Sequence, residues 1–113
     1  MLRLALPILI LALAACATEA PPASDATERG RELTAAHCSS CHAIGASGES
    51  AAPEAPPFRQ LSRNYRVDAL EEALAEGISV GHPAMPQFEF APGDVSAIVQ
   101  YLQSIQTNDG AEG

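Results

Sequence analysis

Cys38-Ser39-Ser40-Cys41-His42 constrains this chain more than any other run of its residues. C-x-x-C-H is the sequence signature for covalent attachment of a c-type haem. Two thiols at that spacing can add to the two vinyl groups of one porphyrin, leaving two thioether bonds. The histidine directly after the second thiol then lies beneath the ring and offers an imidazole nitrogen to the iron. A chain built on this motif has to fold around a flat apolar disc. Coincidence is a weak rival, since three Cys and three His in 113 residues give about 0.002 expected matches. A thioredoxin-like redox pair would need a βαβ setting, and no strand-rich pattern surrounds this one. A zinc site would want a fourth ligand and usually a second cysteine pair, and the sequence has neither.

Residues 1–15 read as a secretory signal peptide. Met1-Leu2-Arg3 is a cationic start, residues 4–13 are an apolar run, and Ala14-Ala15 are the small residues of a cleavage site. At roughly 10 to 12 apolar residues the run is too short for a spanning helix, which needs about 20. Leu13-Ala14-Ala15-Cys16 resembles the bacterial lipobox, in which the cysteine is lipidated and becomes the first mature residue. The rival reading is ordinary cleavage that leaves a free exported thiol. Cysteine arithmetic favours lipidation of Cys16: two thiols go to haem, and the third would otherwise be reactive in an oxidising compartment.

The mature chain of about 98 residues is enough for one small domain. With no Trp, two Tyr and three Phe, its own apolar core is thin. A buried porphyrin would supply what is missing, so the haem-free chain is expected to fold poorly. Loss of Arg3 leaves five Arg, no Lys and fourteen Asp and Glu, a net charge near −9. Nucleic acid and anionic membrane surfaces are poor partners for such a polyanion. A basic or neutral docking face on a redox partner suits it better.

Residues 16–25 read as a flexible tether, small, polar and proline-containing. The domain proper is expected over residues 26–106, ending in a frayed tail at 107–113. Residues 26–41 read as a first helix with Asp25 or Thr27 as N-cap, and with Leu33, Ala36 and Gly30 on one face. Residues 43–57 are a loop stiffened by Pro53, Pro56 and Pro57. A short helix is expected over 58–64, and a clearer one over 68–76 with the stripe Ala69, Leu70, Ala73 and Leu74. Asp68 and Glu71 resemble a capping box there, and Gly77 a stop. Residues 78–91 are irregular, punctuated by Gly81, Pro83 and Pro86. The last helix opens at Pro92 with Asp94 in its first turn and the stripe Val95, Ile98, Val99, Leu102 and Ile105. The fold class is therefore all-α, three to four helices around one haem.

A six-coordinate iron needs a second axial ligand, and the candidates are Met85, His82 and His37. His37 directly precedes Cys38 and cannot swing to the opposite face of the ring. His82 and Met85 share the loop Gly81-His82-Pro83-Ala84-Met85-Pro86. A methionine between prolines makes a poor core residue, although thioethers usually fill core gaps. A soft thioether also raises the reduction potential relative to bis-histidine ligation. Met85 is favoured over His82.

Over residues 28–105 the chain resembles the class I c-type cytochromes. Gly30, Cys38-x-x-Cys41-His42, Ala55-Pro56-Pro57-Phe58, Met85-Pro86 and Tyr101-Leu102 reproduce that family's landmarks in order. The resemblance implies a cytochrome c fold with one covalent haem c, in which Gly30 lets the first helix cross the last against Tyr101. It also implies that Pro56 offers its carbonyl to the other ring nitrogen of His42, fixing the imidazole and raising its basicity. Two departures bear on the reduction potential. Phe88 stands where some relatives bond the methionine sulfur with asparagine, and no tryptophan is available near the propionates. Arg59, Arg63 and Arg66 are the nearest cations, either for propionates or as a solvated helix face.

The sequence thus describes a monomeric, lipid-anchored, monohaem electron carrier on the periplasmic side of a bacterial membrane, with His42 and Met85 as axial ligands. No catalytic residue is expected. The alternatives are a cytochrome subunit dedicated to one oxidoreductase complex and a haem-based redox or gas sensor in which Met85 dissociates. A peroxidase would need five-coordinate iron and a distal acid–base pair.

Overall fold

The structure is a computed structural model and describes residues 23–77 and 84–107. Residues 1–22, which hold the expected signal peptide, Cys16 and most of the expected tether, residues 78–83 with His82, and residues 108–113 lie outside the described residues. Three α-helices, α1 (Ala23–His37), α2 (Leu70–Glu76) and α3 (Pro92–Ser104), are joined by two 3₁₀ helices, Phe58–Arg63 and Val67–Ala69. No strand occurs among the described residues. The all-α class holds.

The fold is organised by the contact of α1 with α3. The apolar stripe of α3 buries Val95, Ile98, Val99 and Leu102, and Ala97 and Tyr101 are buried beside them. From α1 come Leu33 and the fully buried Thr34, whose hydroxyl donates to the Arg31 carbonyl. Gly30 marks the crossing. A Cβ there would fall 2.7 Å from Tyr101 Cβ and 2.6 Å from the Ala97 carbonyl carbon, so any side chain would push the helices apart. The expected meeting of Gly30 and Tyr101 is therefore present. At the exposed rim Arg29 pairs with Asp94 of α3 across 3.2 Å. Leu33, Phe58, Leu61, Val67, Ala97, Ile98 and Leu102 form one core cluster, which ties both 3₁₀ helices to the crossing.

Local boundaries differ from expectation in instructive ways. α1 begins at Ala23, so residues 23–25 are helical rather than tether, and Asp25 sits inside the first turn instead of capping it. An acid in the first turn meets the same positive helix end as a cap does, so the residue type alone does not separate the two. α1 stops at His37, and residues 38–41 are a turn. The expected helix over 58–64 is a 3₁₀ helix over Phe58–Arg63, following a Pro57 that has no N–H to give. The capping box does not form. α2 has no side-chain cap, because the preceding 3₁₀ turn already feeds it and the Asp68 carboxylate pairs with Arg66. Gly77 does end α2, at φ +89°. Thr107 is not frayed: its N–H and hydroxyl both donate to the Arg59 carbonyl, at 2.9 and 3.2 Å.

Candidate haem-attachment site

The attachment motif occupies the turn that follows α1. The Cys38 N–H completes the helix by donating to Thr34 (2.9 Å), after which the Cys38 carbonyl accepts from both Cys41 (3.2 Å) and His42 (2.9 Å). That doubled acceptance curls residues 38–42 into a compact turn carrying two thiols and an imidazole. Both cysteines are half-buried and neither is in a disulfide. Burial pushes the Cys38 thiol up to about 11, the opposite of the lowered pKa that activates a redox C-x-x-C. No strand flanks the pair among the described residues, so the βαβ setting of a dithiol-redox motif is absent there. Among the described residues, which do not include Cys16 or His82, there is no group of three or more His, Cys, Asp or Glu side chains placed to hold a metal ion.

His42 is fixed from two directions. Its Nδ1 lies 2.8 Å from the Pro56 carbonyl oxygen, which can only accept, so Nδ1 carries the proton. The ring also packs on Phe58 at 4.6 Å between centroids and 33° between planes. Nε2 is then the unprotonated nitrogen, the one with a lone pair to give. The loop over residues 43–57 is strapped across this site. Ala52 N–H donates to the Cys41 carbonyl (3.0 Å), and Phe58 N–H donates to the Ala43 carbonyl (2.9 Å). Ala43 N–H donates to Ser50 Oγ (3.0 Å), and the Tyr101 hydroxyl donates to the Ile44 carbonyl (2.6 Å).

Met85 is half-buried and shares a small apolar cleft with Leu74, Pro86 and Phe88. Its segment reaches the attachment turn through rings. Phe88 and Phe90 stack on each other at 5.7 Å and meet His37 edge-on at 5.7 and 5.4 Å. His37 is thus a contact for the methionine segment, a role the sequence does not signal. Phe88, noted as a departure from relatives with asparagine, belongs to the same contact. Of the three cations considered for propionates, Arg59 donates to the Gly48 carbonyl (2.8 Å) and Arg66 pairs with Asp68.

Two uncrosslinked thiols in one turn, followed by an imidazole whose free nitrogen is fixed by its partner's bond, suit a haem c. A porphyrin would bring four further nitrogens to the iron. The class is that of a c-type cytochrome domain. A model of the family described as cytochrome C oxidase, cbb3-type, subunit III matches residues 25–102, and the chain belongs to that family. Its cofactor is covalent haem c, and its activity is haem-based electron transfer. No curated protein and no solved structure matches the chain.

Proposed function

We propose that the chain is a monohaem electron carrier whose iron cycles between ferric and ferrous states with His42 and Met85 as axial ligands. Cys38 and Cys41 would hold the porphyrin through thioethers. The haem, once bound, supplies the one-electron couple; the protein supplies orientation, burial and ligand basicity. The observation that carries this reading is the 2.8 Å bond from His42 Nδ1 to the Pro56 carbonyl, which frees Nε2 and sets the ring's direction. With His42 and Met85 both given to the iron, the haem would offer no position to a substrate and would supply electron transfer alone.

The domain would face the periplasm, held to its membrane by lipid on Cys16 through the tether. No helix among the described residues is long and apolar enough to cross a membrane; the lipobox-like run Leu13-Ala14-Ala15-Cys16 is what supports a lipid anchor. A family described as an oxidase subunit favours service to one redox complex over free diffusion between partners. Reversible one-electron reduction, with a ferrous low-spin spectrum unchanged by CO at neutral pH, is the expected behaviour. Rapid CO binding would instead support the sensor reading. Membrane fractionation tests the anchor separately: the protein should resist salt, come off with detergent, and become soluble or stay uncleaved as Cys16→Ser.

A further inference from the structure

The C-terminal end of α3 closes on the segment that presents Pro56 and Phe58 to His42. Gln106 follows the helix and is half-buried. Its amide nitrogen donates to the Phe58 carbonyl (2.7 Å) and to the Leu102 carbonyl (2.7 Å), while its oxygen accepts from the Ser62 N–H (2.8 Å). The amide has only one sensible orientation, since the reverse would aim its oxygen at two carbonyls. Thr107 adds its N–H and hydroxyl to the Arg59 carbonyl.

We infer that Gln106, supported by Thr107, is a positioning residue for the proximal histidine. This rests on the reading of His42 as an axial ligand. The Phe58 residue is pinned at both ends, its N–H on the Ala43 carbonyl and its own carbonyl on Gln106. Pro56 lies two residues upstream, joined through Pro57 at φ −58°, and neither proline can donate a stabilising bond. A 3₁₀ helix has poorer hydrogen-bond geometry than an α-helix and holds itself weakly. Its start is therefore set from outside, by the Ala43 carbonyl at the Phe58 N–H and by Gln106 at the Phe58 carbonyl. That fixes the Pro56 carbonyl at Nδ1 and the Phe58 ring on the imidazole. A strong acceptor at Nδ1 makes the ring more basic and favours ferric iron. Loosening the latch should weaken that bond and favour the ferrous state.

The test uses the intact haem protein. Proton NMR of the ferric and ferrous forms follows the His42 ring signals, and spectroelectrochemistry gives the midpoint potential. Gln106→Ala should speed solvent exchange of the His42 Nδ1 proton about tenfold, the factor carried by one hydrogen bond of ordinary net strength. It should also raise the midpoint potential. Gln106→Glu, which keeps the acceptor for Ser62 and loses the donor for Phe58, should not restore either value. Val95→Ala, a cavity at the far end of α3, should lower the melting midpoint and leave both unchanged. If Gln106→Ala lowers stability while exchange and potential stay at wild-type values, the residue only holds the fold and the inference is overturned. If the wild-type ferric protein shows no hyperfine-shifted His42 ring signals, ligation by His42 fails and the inference falls with it.

Discussion

The two segments proposed to carry the axial ligands are held by different forces. On the proximal side, Cys41, His42, Ala43 and Ile44 are each hydrogen-bonded to a partner at least seven residues away in sequence. On the methionine side, residues 84–90 meet the last residue of α1, just before the attachment turn, through ring contacts of Phe88 and Phe90 on His37, without a backbone hydrogen bond to another described element. Directional bonds fix both position and orientation, as the proposed imidazole ligand requires. Ring contacts fix proximity but leave the segment freer to slide. Local opening should therefore begin at the methionine segment and leave the proximal turn intact.

The largest expected effect removes the proximal attachment altogether. Cys38→Ala or Cys41→Ala should leave haem on a single thioether or abolish maturation. A denaturing gel stained for haem checks this against wild type, which should keep its colour. Absence of covalent haem from the wild type after export with a competent maturation system would break the picture at its base.

Gly30→Val comes next, because it forces a side chain into the Ala97 backbone. It should cost about 3 kcal/mol, read as a lower denaturation midpoint, while the spectrum of the folded fraction is unchanged. An unaltered midpoint would mean the helices can separate there without penalty.

His37→Ala sharpens the contrast directly. Loss of two ring contacts should cost about 1 kcal/mol, confined to the distal segment. Exogenous imidazole should then bind the ferric protein several-fold faster, with the His42 signals unmoved. Equal disturbance of both sides would show that the segments are coupled more tightly than their contacts suggest.

The smallest effect concerns pH. The hydrogen bond from Arg31 holds the Glu28 carboxyl below its ordinary value. A lowered folded pKa gives stabilisation that is complete above the ordinary carboxylate range and lost as pH falls through the lowered value. The pair is fully exposed, so Arg31→Ala should only slightly flatten the acid limb of a stability-versus-pH curve. Haem ligation should be indifferent to it.

Much of the frame was legible in the chain. C-x-x-C-H names its own chemistry, and the α3 stripe from Val95 to Leu102 follows helical spacing, so both could be read locally. Gly30 and Tyr101 were legible through resemblance, and the crossing at Ala97 bears the expectation out. What escaped were bonds between side chains and distant backbone. Gln106 reaches Ser62 and Phe58 from 44 and 48 residues away, and such pairs leave no periodicity in the sequence. His37 looked like a rejected ligand, and its ring contacts with Phe88 and Phe90 depend on where the chain returns. The expected cap at Asp68 failed for a related reason, because a nearby arginine competed for the same carboxylate.

The near-infrared absorbance of the purified ferric protein tests the central claim most directly. Methionine ligation of ferric haem gives a weak charge-transfer band there. Wild type and His82→Ala should both show it, and Met85→Ala should lose it while its haem remains covalently attached. Absence of the band from wild type, with a low-spin spectrum that His82→Ala alters and Met85→Ala leaves unchanged, would transfer the distal role to His82 and contradict the account.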